Sequence, residues 1–196
     1  MRVKFKGILD PLGRLFNRLG LMPNTMTILG LVGNAVGAIL LSQGQMVAGG
    51  ILILLMGPVD ALDGTMARLR GMAGHFGAFV DSVTDRYSEL IIFAGLLYYY
   101  MRQGDHLTAL LVYFAAAGSV LVSYIRSRGQ SLGWDTKTGI LTRMERYLVL
   151  GPALVLSFIS PLLLQIAIVI IAVLANITAV QRIIDVRRQA VQNNQE

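Results

Sequence analysis

The sequence of 196 residues contains no cysteine, only two histidines and few charged side chains, which make up 14% of the chain. The absence of cysteine excludes both a disulfide framework and a thiolate metal site. Low charge combined with 55% hydrophobic residues and a mean hydropathy of +0.63 is typical of an integral membrane protein, not of a soluble domain. Residues 1–20 also lack the apolar core and the small-residue cleavage site of a signal peptide.

The basic residues are unevenly distributed and flank the apolar segments. They precede the first segment, follow the second, lie between the fourth and fifth, and close the chain. Because Lys and Arg are retained on the cytoplasmic side of membranes, both termini are predicted to be cytoplasmic. A net charge of +6 beside membrane segments favours anionic lipid head groups and phosphorylated substrates as partners. We expect no nucleic-acid partner.

Recurring apolar segments predict an all-α integral membrane protein with a single domain over residues 1–196. A crossing needs about 20 residues, and two cytoplasmic termini require an even number of crossings. Ser160-Pro161 supplies a turn that divides the last apolar run, and a polar loop is predicted at 129–139. The six-helix bundle is predicted to cover 25–182, with transmembrane helices at 25–42, 47–68, 76–101, 107–127, 143–159 and 162–182.

Residues 1–20 precede this bundle and contain an amphipathic pattern. Between residues 3 and 19, large apolar side chains recur on one helical face, with Lys and Arg on the other. A helix of this kind lies along the membrane surface, so we predict an N-terminal amphipathic interfacial helix. Its role is either to anchor the chain or to shape the substrate entrance, and the sequence leaves both open.

Two short clusters of carboxylates interrupt the apolar sequence. Asp60 and Asp63 are three residues apart and Asp81 and Asp85 are four apart, so on helices each pair shares a face. An ionised carboxylate at membrane depth costs several kcal/mol unless it is paired or binds a cation. Carboxylate ligands select hard divalent ions, Mg²⁺ or Mn²⁺, and two ions about 3.5–4 Å apart would suit four carboxylates. We therefore predict a metal site formed by Asp60, Asp63, Asp81 and Asp85.

Small residues and one arginine accompany these clusters. Gly64 lies four residues after Asp60 and four before Arg68, on the same helical face. A glycine leaves the helix surface bare, so a pyrophosphate can approach the backbone, while the guanidinium offers a fork of donors to phosphate. Gly77 would clear the opposing helix in the same way. Close helix packing is the alternative explanation for an isolated glycine.

The combined pattern D-x2-D-G-x2-A-R-x8-G-x3-D-x3-D resembles the signature of the CDP-alcohol phosphotransferases, with every fixed position present. The resemblance extends to the six-helix pattern and the N-terminal surface helix, and covers essentially the whole chain. It implies a homodimeric enzyme that displaces CMP from a CDP-linked lipid with an alcohol. It also implies that Asp60, Asp63 and Asp81 are metal ligands, whereas Asp85 both borders the metals and acts as the catalytic base.

The same resemblance implies which residues contact the CDP-lipid. The segment from Pro23 to Thr27 looks like the family's P-N/D-x-x-T sequence, and Gly74 would contribute through its backbone. The implied ligands are Asn24, Thr25, Met26, Thr27, Gly64, Arg68, Gly74 and Gly77. Independently of the resemblance, these residue types suit the implied reaction, because attack on the β-phosphorus builds negative charge that metal ions and a guanidinium stabilise. A base must also lie close to the attacking hydroxyl.

Arginines recur at the helix ends that share the level of the carboxylates. Arg126 lies near the end of the fourth predicted helix, Arg143 and Arg146 open the fifth, and Arg182 ends the sixth. Their convergence suggests a pocket for an anionic acceptor, most simply a phosphate monoester, although membrane anchoring is the alternative for any single arginine. These segments resemble the phosphatidylinositol-phosphate synthase branch. That resemblance implies an acceptor-phosphate pocket of Ser123, Arg126, Arg143, Arg146 and Arg182.

The sequence therefore predicts an enzyme at the cytoplasmic face of the cell membrane that joins myo-inositol 1-phosphate to the phosphatidyl group of CDP-diacylglycerol. Glycerol 3-phosphate is the alternative acceptor because it also carries a phosphate. Serine, choline and free inositol do not match a pocket of arginines. A divalent-cation transporter is a remote alternative, since it would spread its carboxylates along a path, and a lipid-binding protein would need no carboxylate base.

Overall fold

The computed structural model describes residues 6–71, 74–136 and 138–193. The described residues form helices and turns, without a strand, as the hydropathy of the sequence predicts. These described ranges contain seven helices: α1 (Lys6–Arg18), α2 (Pro23–Ser42), α3 (Met46–Leu69), α4 (His75–Arg102), α5 (His106–Ser131), α6 (Arg143–Leu156) and α7 (Pro161–Asn193).

The last long apolar run is divided where the sequence predicts. Helix α6 ends at Leu156, three residues earlier than expected, and Ser157 donates a hydrogen bond from Oγ to the Leu154 carbonyl oxygen at 2.6 Å. Helix α7 begins at Pro161, a favourable first position because proline has no N–H to leave unpaired. The turn between α6 and α7 is therefore stabilised by the hydrogen bond at the end of α6 and by the proline that begins α7.

Two predicted helix ends are wrong in the same direction. Helix α7 continues to Asn193 instead of ending at 182, and α5 continues to Ser131, so the polar loop begins at Leu132 and not at 129. Hydropathy falls where charged residues begin, but good helix formers without Gly or Pro continue α7 beyond that point. Hydropathy marks the edge of an apolar segment, not the end of the helix.

Four of the helices in the described part of the chain, α2, α3, α5 and α7, are long and apolar enough to cross a membrane. Helix α4 has 28 residues but carries most of its charged residues in its first half, and α6 has only 14 residues. Length and composition thus give four candidate membrane spans among the described residues, and α4 and α6 are the atypical helices.

Small residues allow the helices to approach one another closely. A Cβ on Gly95 of α4 would clash with the carbonyl oxygen of Ala38 on α2, and a Cβ on Gly118 of α5 would lie 2.6 Å from Nδ2 of Asn176 on α7. Asn176 also donates to the Phe114 carbonyl oxygen at 3.0 Å, which ties α7 to α5. Close backbone approach of this kind is how helices associate in membranes.

Helix α1 packs against the end of α3 that carries Asp60 and Asp63. A Cβ on Gly13 would lie 3.2 Å from side-chain atoms of Thr65 and Leu69, so only a glycine fits there without displacement. The opposite side of α1 leaves large apolar side chains exposed, namely Leu12, Leu15 and the following Leu19. The predicted start of this helix at residue 3 lies outside the described residues.

Candidate active site

Asp63 is the most deeply buried of the predicted metal ligands, with 6% of its surface exposed. The hydroxyl of Thr27 on α2 donates to Asp63 Oδ2 at 2.7 Å, and the backbone N–H of Gly64 donates to Asp63 Oδ1. The sequence resemblance assigns Thr27 to the CDP-lipid, but in the structure its hydroxyl holds the Asp63 carboxylate. Thr27 thus fixes the orientation of this carboxylate across the α2–α3 contact.

Asp60 and Asp85 are brought together by one guanidinium. Arg143, the first residue of α6, lies with Nη1 2.5 Å from Asp85 Oδ2 and Nη2 3.4 Å from Asp60 Oδ2. The two carboxylates come from different helices, α3 and α4, and both are largely buried, while the arginine is 44% exposed. Arg143 therefore neutralises part of the charge that the carboxylates concentrate here.

Asp81 completes the cluster. It lies close enough to Asp60, Asp63 and Asp85 for the negative charges to repel one another. Within the described ranges, however, no three acidic or imidazole side chains converge into a preformed set of metal ligands. The reason is visible in the contacts, since Arg143 bridges Asp60 and Asp85 while Asp63 is oriented toward Thr27.

Open space lies beside the carboxylates on both helices. A Cβ on Gly64 would meet only Arg68 Nη1, at 3.8 Å, and a Cβ on Gly77 would meet nothing within 4 Å. These two glycines therefore do not serve helix packing, in contrast to Gly95. Arg68 is exposed and donates from Nη2 to Thr65 Oγ1 at 2.9 Å. A bare helix surface beside an exposed guanidinium can accept a phosphate group.

The predicted donor segment at the start of α2 divides into exposed and buried residues. Asn24 and Thr25 are exposed, whereas Met26 is 3% exposed and packs with Leu62 and Met66 in a small apolar cluster. The buried side chain therefore leaves only the backbone of Met26 for the predicted contact with the CDP-lipid. Gly74, the N-cap of α4, is exposed with an extended backbone, φ −103° and ψ 161°.

Arg126 and Arg182 form a second group of positive charge. Arg182 is 3% exposed and donates from Nε to the Thr138 carbonyl oxygen at 2.9 Å and from Nη1 to the Val122 carbonyl oxygen at 2.6 Å. Arg126 is exposed and lies close enough for the two guanidinium charges to repel. Ser123 is half-buried, one residue after Val122 on α5. Two guanidinium charges this close together attract an anion.

Arg146 lies near Arg182 but is paired with an acidic residue of α4. Its side chain is 2% exposed and donates from Nε to Glu89 Oε1 at 2.7 Å and from Nη2 to Oε2 at 3.0 Å. A third bond reaches the Leu141 carbonyl oxygen at 3.3 Å. A buried bidentate pair leaves no free face for a substrate, so this arrangement does not support the assignment of Arg146 to the acceptor phosphate.

We expect Arg146→Met to lower the free energy of unfolding by about 3 kcal/mol, because it leaves the Glu89 carboxylate without its partner. The measurement is thermal unfolding of the purified protein in detergent. Arg102→Met is the matched control, since Arg102 is exposed and only lies 5.9 Å from the Tyr98 ring centre. Equal losses of stability in both variants would contradict the structural role of the buried pair.

Two residues of the site were missed by the sequence analysis. Glu89 lies four residues after Asp85, so it is a fifth acidic side chain at helical spacing and could have been recognised by the same argument. Gly30 of α2 leaves room for Asp60, because a Cβ there would clash with the carboxylate oxygen. No sequence pattern distinguishes Gly30 from the other glycines of α2.

The fold and the site together define a helical membrane protein with a carboxylate centre flanked by arginines. Residues 20–185 match the sequence profile described as CDP-alcohol phosphatidyltransferase. The chain therefore belongs to the CDP-alcohol phosphatidyltransferase family, an enzyme family, as the motif predicts.

One relative and two solved structures show which members of the family this chain is similar to. The chain is similar to the phosphatidylinositol phosphate synthase of Streptomyces avermitilis, with 36% identity over 200 residues that cover 96% of this chain and 82% of that protein. It is also similar to the crystal structure of Mycobacterium tuberculosis phosphatidylinositol phosphate synthase with CDP-DAG bound, with a TM-score of 0.86, 32% identity and coverage of 91% and 93% of the two chains. The structure of that enzyme with manganese and citrate gives a TM-score of 0.87 at 32% identity, with coverage of 91% and 88%.

Proposed function

We propose that this protein transfers the phosphatidyl group of CDP-diacylglycerol to myo-inositol 1-phosphate, giving phosphatidylinositol phosphate and CMP. The observation that carries the proposal is the cluster in which Asp60 and Asp85, from two different helices, share Arg143 beside open helix surface. The names of the relatives and the CDP-DAG bound to one of them support these substrates.

The proposed cofactor is a divalent metal, Mg²⁺ or Mn²⁺, with two ions per site. Its ligands would be the carboxylates of Asp60, Asp63, Asp81 and Asp85. The donor set fits such ions, because four clustered carboxylates offer hard oxygen ligands and carry more negative charge than Arg143 alone can balance. The manganese in the mycobacterial structure supports this choice. When bound, the metal supplies stabilisation of negative charge on phosphoryl oxygens.

The CDP-lipid would lie along the bare surfaces of α3 and α4. Gly64 and Gly77 admit the pyrophosphate to the helix surface, and Arg68 donates to its oxygens. The exposed side chains of Asn24 and Thr25 and the backbone at Gly74 would contact the nucleotide. Thr27 contributes through Asp63, whose carboxylate it orients.

Asp85 is the proposed base for the acceptor hydroxyl. The hydroxyl proton moves to the Asp85 carboxylate while the hydroxyl oxygen forms a bond to the β-phosphorus of CDP-diacylglycerol. The bond from this phosphorus to the bridging oxygen then breaks, and CMP leaves with that oxygen. Arg143 lies against Asp85 and so fixes the direction from which the carboxylate meets the hydroxyl.

The acceptor phosphate would bind between α5, α6 and α7. Arg126 is exposed, Ser123 is half-buried beside it, and Arg182 adds charge although two of its donors are engaged with backbone carbonyls. Arg143 would connect this pocket to the carboxylates. Arginine forks suit a phosphate monoester and give no advantage to an uncharged alcohol such as free inositol.

The proposed setting is a cell membrane crossed six times, with α4 and α6 spanning in addition to the four apolar helices. Both termini and the active site would face the cytoplasm, with α1 lying along the membrane surface through its exposed leucines. The whole of 1–196 would form one domain, and the enzyme would act as a homodimer.

The proposal is tested by following CMP release from CDP-diacylglycerol with purified protein, detergent and Mg²⁺. Inositol 1-phosphate, glycerol 3-phosphate and free inositol are supplied in separate reactions. We expect release with inositol 1-phosphate and little with the other two. Release with glycerol 3-phosphate alone would support the phosphatidyl transfer but contradict inositol 1-phosphate as the acceptor. No release with any acceptor by folded protein would overturn the proposed function.

Arg126→Gln should lower kcat/KM for inositol 1-phosphate by about 10- to 100-fold, since a hydrogen-bonded charge pair with phosphate is lost. The KM for CDP-diacylglycerol should stay within about twofold, because the donor lies against α3 and α4. Arg128→Gln is the matched control, two residues along the same exposed helix end and 3.4 Å from Ser131 Oγ. Equal losses in both variants would indicate general surface charge, not a phosphate pocket.

A further inference from the structure

We propose that Tyr147 of α6 is a positioning residue for Asp60, because its hydroxyl inserts into the backbone hydrogen bonds of α3 one turn before that carboxylate. The inference deepens the proposed function, on which its catalytic consequence rests. It identifies a side chain that touches no substrate and acts by fixing the carboxylate-bearing end of α3.

The Tyr147 hydroxyl contacts both members of one helical hydrogen bond. It donates to the Ile53 carbonyl oxygen at 2.6 Å and accepts from the Gly57 backbone N–H at 3.1 Å. In a regular α-helix the N–H of residue 57 bonds directly to the carbonyl of residue 53. A side chain from a neighbouring helix therefore bridges this position, which is one of the recognised causes of a local bend.

The next position of α3 has no backbone donor. Pro58 follows Gly57 inside the helix and has no N–H for the Leu54 carbonyl oxygen. Two successive backbone bonds are thus either bridged by Tyr147 or missing, just before Asp60. The direction in which residues 58–69 leave this point depends on the contact with α6 more than on α3 itself.

The contact is built from glycines facing large side chains. A Cβ on Gly57 would lie 2.5 Å from the Tyr147 hydroxyl oxygen, and a Cβ on Gly50 would lie 2.6 Å from Cβ of Leu154. A Cβ on Gly151 of α6 would clash with the Leu54 side chain. The glycine at 57 is therefore what lets the phenol reach the backbone.

The contacts between α3 and α6 lead to the cluster of Asp60, Asp85 and Arg143. Asp60 follows Gly57 by three residues, so these two share a face of α3. Arg143 precedes Tyr147 by four residues, so these two share a face of α6. Both Asp60 and Arg143 lie close enough to act electrostatically on the Tyr147 phenol. The Asp60–Arg143 pair is thus the continuation of the Gly57–Tyr147 contact, and its geometry is set there.

The test is Tyr147→Phe in the full-length protein, which removes the hydroxyl and keeps the ring. We expect Mn²⁺ to bind about 10-fold more weakly in an electron paramagnetic resonance titration without substrate, because the Asp60 carboxylate is displaced. We expect kcat to fall by a similar factor while the KM for inositol 1-phosphate and the unfolding temperature stay close to wild type. Tyr113→Phe is the matched control, since Tyr113 is exposed on α5.

Gly57→Ala is the second variant, because it keeps the phenol but pushes its hydroxyl away from the α3 backbone. It should weaken Mn²⁺ binding in the same direction. Wild-type Mn²⁺ affinity in both variants would overturn the inference. If wild-type protein binds Mn²⁺ but releases no CMP with any acceptor, the proposed function fails, and the titration still decides the role of Tyr147.

Discussion

Replacement of Asp85 by Asn should lower kcat for CMP release by at least about 10³-fold, because the amide cannot accept the proton of the attacking hydroxyl. The substitution preserves size, so α4 should pack as before. It also removes the negative partner that Arg143 contacts at 2.5 Å and one carboxylate of the proposed metal site. The measurement is the initial rate of CMP release with saturating CDP-diacylglycerol, inositol 1-phosphate and Mg²⁺.

Asp105→Asn provides the matched control for this change. Asp105 is the N-cap of α5 and follows the C-terminal end of α4, whereas Asp85 lies in the first half of α4. Asp105 accepts a hydrogen bond from the Thr108 N–H at 3.0 Å. Hydrogen bonds from the Thr108 side chain and backbone hold the pKa of Asp105 below its ordinary value, so the control also removes a real charge at neutral pH. Asn caps helices about as well as Asp. A rate in Asp85→Asn above a tenth of wild type would exclude Asp85 as the base.

Removal of divalent metal should lower CMP release by at least about 10³-fold, since charge stabilisation by the metal is worth several kcal/mol in the transition state. Arg143 contacts Asp60 and Asp85 but cannot replace that stabilisation. The measurement is CMP release after treatment with EDTA, followed by titration with Mg²⁺ or Mn²⁺. Activity should return with either ion.

Potassium chloride of equal ionic strength is the control for this experiment and should restore nothing. Salt screens exposed charges but offers no ion that carboxylates bind in place of a divalent metal. Full activity in EDTA, with metal content verified as below one ion per protein, would contradict the metal-dependent account. Stabilisation of the phosphoryl group would then have to come from protein charges such as those of Arg68 and Arg143.

The helices were predictable because membrane proteins must satisfy their backbone within each apolar segment. Their ends were less predictable. Helix α7 passes residue 182 and continues to Asn193, because helix formers persist after hydropathy falls. The turn before Pro161 was predictable, since proline acts locally and needs no knowledge of neighbouring helices.

The carboxylate cluster was predictable from spacing, but the partners of its side chains were not. Arg143 and Arg146 open the same helix three residues apart, yet one contacts Asp60 and Asp85 while the other is buried against Glu89. Which arginine meets which acid depends on how α6 packs against α3 and α4. The contact of Tyr147 with α3 could not be predicted either, because a half-buried tyrosine in an apolar helix has no distinguishing sequence pattern.

The central claim is that the acceptor is a phosphorylated inositol, and a competition reaction tests it most directly. Equimolar inositol 1-phosphate, glycerol 3-phosphate, free inositol and serine are supplied together with CDP-diacylglycerol and Mg²⁺, and the lipid products are identified by mass spectrometry. We predict that phosphatidylinositol phosphate dominates and that it retains the acceptor phosphate. A dominant phosphatidylglycerophosphate product, or phosphatidylinositol without the second phosphate, would contradict the account.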